Sequence, residues 1–163
     1  MRRVAVYAGT RNLYGCMETA AKSLLAHTDM DRVVFLIEDD EFPRSLPSVI
    51  DCVNCSGQGF FPETGPNYHS AWTYMSLMRL ALPEILPEEY RALYLDVDTI
   101  VTGDLGPLFS ASLGGCPVGG VREPSRSRGV PYYNAGVLLM DLFALRGLLC
   151  KRLIDTVNAR RLI

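Results

Sequence analysis

Short, wholly apolar runs alternate along this chain with longer stretches whose apolar residues recur every three or four positions. Runs of that length with no polar break read as strands covered on both faces. The first is Val4 to Ala8, closed by Gly9-Thr10, and the second is Val33 to Ile37, which stops at the acidic run Glu38-Asp39-Asp40-Glu41. A weaker strand follows from Val49 to Val53, then a buried one from Ala92 to Leu95, and two more are expected at Pro117–Val121 and Ala135–Met140. Helical spacing covers Glu18 to Ala26, with Ala21, Leu24 and Leu25 on one face. It returns from His69 to Leu82, where Trp72, Met75, Met78, Leu82 and Leu86 form a buried stripe that Pro83 and Pro87 bring to a close. A last helix is expected from Leu142 to about Arg160, with Leu145, Leu149, Leu153 and Val157 aligned. Strands alternating with helices predict an α/β fold of βα units around a mostly parallel sheet. With no internal repeat and no linker, residues 1–163 are expected to form one domain.

Composition narrows the class. The 163 residues are 48% hydrophobic and 21% charged, as in an ordinary globular domain, and the formal net charge is −2. A nucleic-acid partner is not expected, because phosphates call for a basic field. No apolar run approaches the roughly 20 residues that span a bilayer. The run after Arg2-Arg3 is too short for a signal peptide, and Arg11-Asn12 follows at once. Cys16, Cys52, Cys55, Cys116 and Cys150 are odd in number and scattered, which suits a reducing compartment, so a cytoplasmic protein is expected.

Three segments at strand ends carry candidate chemistry. Asp96-Val97-Asp98 follows Leu93-Tyr94-Leu95 directly. In an extended chain, alternate residues point the same way, roughly 6.6 Å apart along the strand. That pairs the two carboxylates where open α/β sheets bind ligands. Hard cations such as Mg²⁺ and Mn²⁺ take carboxylate oxygens and share them with substrate phosphates. Without a cation, two buried like charges would repel and one would keep its proton. A solvated turn with incidental acids also explains the spacing. Asn134 and Gly136, within Tyr132 to Met140, allow polar contact and close backbone approach, although alone they read as an ordinary strand start. The loop Ala8-Gly9-Thr10-Arg11-Asn12-Leu13-Tyr14-Gly15 offers small residues and donors for a nucleotide, or is a plain βα connection; it matches neither common phosphate-binding fingerprint.

Other features favour bland roles. Cys52-Val53-Asn54-Cys55 has no second pair for zinc, so strand and loop cysteines are expected. His27 and His69 have no spaced partner, and Arg126 and Arg128 lie on a polar loop. The acidic run at residues 38–41 is expected to be a solvated strand end, with a place beside the site as the alternative.

Taken in order, these segments resemble the family-eight glycosyltransferases, the clan of glycogenin and the bacterial lipopolysaccharide galactosyl- and glucosyltransferases. The resemblance rests on Leu93-Tyr94-Leu95-Asp96-Val97-Asp98-Thr99-Ile100-Val101, on Tyr133-Asn134-Ala135-Gly136-Val137-Leu138-Leu139-Met140-Asp141-Leu142, and on Arg79-Leu80 followed by Leu82-Pro83-Glu84-Ile85-Leu86-Pro87. The first strand and loop, with Ala20-Ala21-Lys22-Ser23-Leu24, also fit.

The resemblance implies a GT-A, Rossmann-like nucleotide-diphospho-sugar transferase fold. It implies retaining transfer of a hexose from a UDP-sugar, UDP-glucose or UDP-galactose, to a glycan or lipid-linked acceptor, with Mn²⁺ or Mg²⁺. By position, Asp96 would contact the ribose and the metal and Asp98 the metal, with Val97 between them. Ala8, Gly9, Thr10 and Asn12 would line the uridine pocket, Arg79 would hold the donor near its sugar and phosphates, and Asn134, Ala135 and Gly136 would border the transferred sugar. Thr10 and Arg11 stand where many members carry acidic residues. The family's distal Glu-Gln-Asp or Asp-Gln-Asp motif and metal-binding histidine would fall beyond Ile163, so no catalytic residue is assigned. The chain therefore reads as the donor-binding portion of such an enzyme, or alternatively as an inactive nucleotide-sugar-binding or assembly module. An exposed apolar surface near Tyr133–Met140 and the last helix, favouring self-association, is expected too.

Overall fold

The computed structural model describes residues 2–70, 72–124 and 131–161. Six strands form one sheet: β1 (Val4–Ala8), β2 (Arg32–Ile37), β3 (Ile50–Asn54), β4 (Arg91–Leu95), β5 (Val118–Glu123) and β6 (Tyr132–Asp141). Their order is β3-β2-β1-β4-β6-β5. β1, β2, β3 and β4 pair in parallel, whereas β6 runs antiparallel to both β4 and β5. The chain thus steps outward from β1 through β2 to β3, then returns to place β4 on β1's other side.

β1 and β2 lack polar interruptions because helices cover both faces of the sheet. Val4, Val6, Ala8, Val34, Leu36, Ala92 and Tyr94 face one layer, which holds α2 (Thr73–Leu77), α3 (Leu82–Ile85), α5 (Leu142–Leu145) and α6 (Leu148–Ala159). The alternate residues Ala5, Tyr7, Val33, Phe35, Ile37, Leu93 and Leu95 face α1 (Tyr14–Leu25) and Phe109 of α4 (Gly106–Phe109). Each large side chain buried in this way contributes about 1.5–3 kcal/mol. A polar group there would lose its water without gaining a partner, at about 1–3 kcal/mol. Among the described residues, the Tyr7 hydroxyl is the one buried side-chain polar atom in that position. Burial raises its pKa well above the ordinary phenol value.

At the opposite end of the sheet from the strand-end loops, Glu89 is only 3% exposed and is paired with Arg2 at 2.8 Å and Arg32 at 3.2 Å. Arg32 also reaches Asp51 at 2.7 Å, tying the start of β2 to β3.

Two expected helices are interrupted. The stretch expected at His69–Leu82 becomes helical only at Thr73, tightens to a 3-10 turn over Met78–Ala81 and restarts as α3. Pro83 does not close it. Proline sits in the first turn of α3, where its missing N–H costs nothing. Met75, Met78, Leu82 and Leu86 are buried as expected, but Trp72 precedes the helix and is 66% exposed. The last helix breaks at Arg146-Gly147, where Gly147 adopts φ 70°. Arg146 turns back to donate to the carbonyls of Pro83, Leu86 and Glu89. Leu145 and Val157 remain buried, whereas Leu149 is exposed.

Candidate functional site

Parallel strands β1 and β4 lie side by side, yet the chain leaves them toward opposite edges of the sheet, to β2 on one side and to β5 on the other. Open α/β sheets bind ligands at the carboxyl ends of strands where the connections reverse in this way. The Ala8–Asn12 loop leaves β1 at this edge, and Asp96-Val97-Asp98 leaves β4 beside it.

Asp96 and Asp98 are not held on an extended chain. β4 ends at Leu95, and residues 96–99 fold into a turn in which the Thr99 N–H and hydroxyl both donate to the Asp96 carbonyl, at 3.2 and 2.7 Å. The alternation expected of a strand therefore does not set the spacing of the two carboxylates. Asp96 is half-buried, and Asp98 is exposed on the same turn.

Around Asp96 the structure gathers residues from three elements: β4, the 3-10 turn after α2, and β6. The Tyr94 hydroxyl donates to its Oδ1 at 3.0 Å, and the Arg79 guanidinium stands 3.4 Å from the same atom. Arg79 lies on the 3-10 turn after α2, packs over the Tyr94 ring at 4.4 Å, and donates to the carbonyls of Ser76 and Ala135. Burial holds the Tyr94 phenol far above its ordinary pKa, so it remains a hydrogen-bond donor to the carboxylate.

Asn134 lies inside β6 rather than at a strand start, since β6 begins at Tyr132. Pairing with β5 jumps from Gly120↔Leu138 to Val121↔Asn134. Ala135, Gly136 and Val137 therefore form a bulge without partners on β5, the kind of irregularity that re-aims backbone beside a site. Its geometry is fixed from the other side, where the Asp96 N–H donates to the Gly136 carbonyl at 2.8 Å and the Gly136 N–H donates to Asn134 Oδ1 at 2.7 Å. A methyl group on Gly136 would stand 2.7 Å from Asp96 Oδ2, so only glycine allows this approach.

The β1 loop is organised separately. Ala8 is buried at the strand end, Gly9 N–H donates to Leu36 O at 3.2 Å, and Thr10 donates through its hydroxyl to Asn12 Oδ1. The first half of the acidic run beyond β2, Glu38 and Asp39, is wired into this loop, whereas Asp40 and Glu41 are exposed, as expected of a solvated strand end. Arg11 donates from its backbone to Glu38 and pairs through its side chain with Asp39 at 2.6 Å. Tyr14 donates to Asp39 at 2.8 Å and accepts from the Glu38 N–H at 2.9 Å. Burial, and then the Asp39 hydrogen bond, push the Tyr14 phenol up to about 12. Tyr74 of α2 donates to Glu38 at 3.1 Å. Glu38 thereby joins the β1 loop to the segment that carries Arg79.

The sequence reading identified Asp96, Arg79, Asn134, Ala135 and Gly136, and the structure brings them together. It missed Tyr94, Glu123 (2.8 Å from Asn134 Nδ2) and the linking role of Glu38. Tyr94 had a signal: a tyrosine in an otherwise apolar buried strand needs a partner for its hydroxyl, and Asp96 follows just past the strand end. Arg126 and Arg128 lie outside the described residues. Cys52 is exposed and Cys55 buried, both as free thiols.

Asp96 and Asp98 offer hard oxygen donors, and no group of three or more His, Cys, Asp or Glu that could hold a metal occurs among the described residues. Two carboxylates at this strand end fit a divalent cation that completes its shell with phosphate oxygens and water. They do not make a closed structural site.

Among known proteins, the family described as glycosyl transferase family 8 matches residues 5–161. Glycosyltransferase GlyE of Streptococcus pneumoniae serotype 4 is 33% identical over 150 residues, which are 86% of this chain and 36% of GlyE. The crystal structure of apo GlyE superposes with a TM-score of 0.71 at 26% identity, covering 99% of this chain and 40% of that one. The galactosyltransferase LgtC, solved with donor and acceptor sugar analogues, gives a TM-score of 0.70 at 24% identity and covers 96% of this chain and 65% of its own. The shared architecture is the GT-A fold. The chain spans about a third of the length of GlyE.

Proposed function

The chain belongs to glycosyl transferase family 8, and on that premise we propose that it forms the donor-binding part of a retaining hexosyltransferase that uses a UDP-sugar and a divalent cation. The acceptor in this reading is a glycan or a lipid-linked sugar. Asp96 and Asp98 hold Mn²⁺ or Mg²⁺, with Asp96 also contacting the ribose. The bound cation supplies Lewis-acid neutralisation of charge on the leaving diphosphate.

The remaining roles belong to the chain's own groups. Ala8, Gly9, Thr10 and Asn12 line the uridine pocket at the end of β1, with the Val97 backbone on the β4 side. Arg79 lies on the far side of Asp96 and is braced by Tyr94 and two carbonyls. Its guanidinium is therefore pre-oriented, and little further entropy is lost when it meets a sugar hydroxyl or phosphate. Asn134, Ala135 and Gly136 border the sugar, and their bulged backbone lets a ring approach the sheet.

The observation that carries this reading is the convergence of Arg79, Tyr94 and Gly136 on Asp96 at the reversal point of the sheet. It is tested by calorimetric titration of UDP into native protein and Asp98→Ala, with and without Mn²⁺. Binding that needs Mn²⁺ and falls at least about tenfold in Asp98→Ala supports the reading. Equal binding by the two proteins, or none by either, overturns it.

A further inference from the structure

Glu123 is the last residue of β5 and is half-buried beside the bulge of β6. Its Oε1 accepts from Asn134 Nδ2 at 2.8 Å. Asn134 then turns its Oδ1 to the Gly136 N–H at 2.7 Å, and the Gly136 carbonyl accepts from Asp96 N–H at 2.8 Å. We propose that Glu123 is a positioning residue that sets the Asp96 carboxylate through Asn134 and Gly136; the inference rests on Asp96 being a donor-site ligand.

Hydrogen-bond polarity decides which way round Asn134 sits. A carboxamide has nearly the same shape either way round, so its own packing does not choose which end faces Gly136. Only one choice works, because an NH2 aimed at the Gly136 N–H would set donor against donor. An ionised carboxylate accepts and does not donate, so Glu123 holds the NH2 end and leaves the oxygen for Gly136. This matters here because residues 135–137 have no ladder bonds to β5. The bulge is held from within by Asn134 and from the far side by Asp96 and Arg79. Release of Asn134 frees Gly136, whose backbone lies so near the Asp96 carboxylate that a Cβ there would stand 2.7 Å from Oδ2.

The test compares Glu123→Ala, Glu123→Gln, Asn134→Asp and the double variant Glu123→Gln with Asn134→Asp. Two readouts are used: amide hydrogen exchange at Gly136 and Asp96, and UDP affinity in the presence of Mn²⁺. Glu123→Ala is expected to speed exchange at both amides about tenfold, the loss of one hydrogen bond of ordinary strength, and to weaken UDP binding by a similar factor. Glu123→Gln can still turn an oxygen to Asn134 and is expected to stay within about threefold of native. Asn134→Asp places two carboxylates together and is expected to weaken binding, while the double variant restores a donor–acceptor pair and recovers most of it. Unchanged exchange in Glu123→Ala, Glu123→Gln as damaging as Glu123→Ala, or no recovery in the double variant would each overturn the proposal. If native protein does not bind UDP, the donor-site reading fails, and the exchange data still decide whether Glu123 orders Gly136.

Discussion

Replacing Gly136 by alanine perturbs the centre of the site by one methyl group. The new Cβ would stand 2.7 Å from Asp96 Oδ2, 3.1 Å from Asn134 Oδ1 and 3.2 Å from Asp96 Cγ. Two effects oppose each other. Gly136 does not have a positive φ, so alanine meets no backbone penalty and should stabilise the fold by about 0.4–1 kcal/mol through the unfolded chain. Overpacking against a carboxylate held by Tyr94 and Arg79 costs about 1–3 kcal/mol. At the middle of each range, about 2 against about 0.7 kcal/mol, the contact wins, and Gly136→Ala should lose about 1.3 kcal/mol in urea unfolding. Relief requires Asp96 to retreat by at least 0.3 Å, to the 3.0 Å that Cβ contacts tolerate. Because that shift strains the Tyr94 hydrogen bond and displaces the carboxylate proposed to hold the cation, UDP affinity with Mn²⁺ should fall about tenfold, about 1.4 kcal/mol. A variant as stable as native with unchanged affinity would refute the close packing of Gly136 on Asp96.

Arg79→Lys keeps the charge but loses the planar fork that lies on Tyr94 and reaches two carbonyls, so UDP affinity should drop about tenfold or more in the same titration. Arg32→Met leaves buried Glu89 with Arg2 alone and should cost about 3 kcal/mol in urea unfolding, whereas Arg32→Met with Glu89→Leu should cost less. Burial pushes the Cys55 and Cys150 thiols up to about 11, so at pH 8 their thiolate fraction is about a hundredfold below that of an ordinary thiol; mass spectrometry after iodoacetamide should find Cys16 and Cys116 modified first. The same two thiols keep their protons in the folded state while the unfolded state begins to lose them, so stability is full below about pH 9 and declines as pH rises to about 11. Tyr90 and Phe143 stack at 5.7 Å while both remain exposed, and Leu148 is exposed nearby in the chain; light scattering should show self-association at high concentration, relieved by Phe143→Ser with Leu148→Ser.

The doubly buried strands were the most legible part of the chain. β1, β2 and β4 lie within a residue of their expected positions because any polar residue inside them would be orphaned. The helix breaks were not legible. Apolar spacing runs unbroken through Met75, Met78 and Leu82, and the change to a 3-10 turn leaves that period nearly intact. Gly147 reads as a helix interior until Arg146 is seen reaching three carbonyls of a distant segment. Within the site, Asp96 and Gly136 carried their own motifs. Glu38 did not: its partners Arg11 and Tyr74 are 27 and 36 residues away, and only the alignment of β2 beside β1 brings them together. Glu123 was hidden for a similar reason, since its value to Asn134 depends on a bulge in which three residues of β6 face a single step of β5.

In the proposed site a nucleotide and a cation meet at Asp96 and Asp98. Mn²⁺ is paramagnetic and broadens nearby amide signals, so a trace of it added to isotopically labelled protein with UDP reads the position directly. UDP-dependent broadening is expected at Asp96–Thr99 and at Asn134–Gly136, lost in Asp98→Ala, with the stacked Tyr90 and Phe143 unaffected. Broadening centred on Glu38–Glu41, or broadening at Asp96–Thr99 that neither UDP nor Asp98→Ala changes, would contradict it.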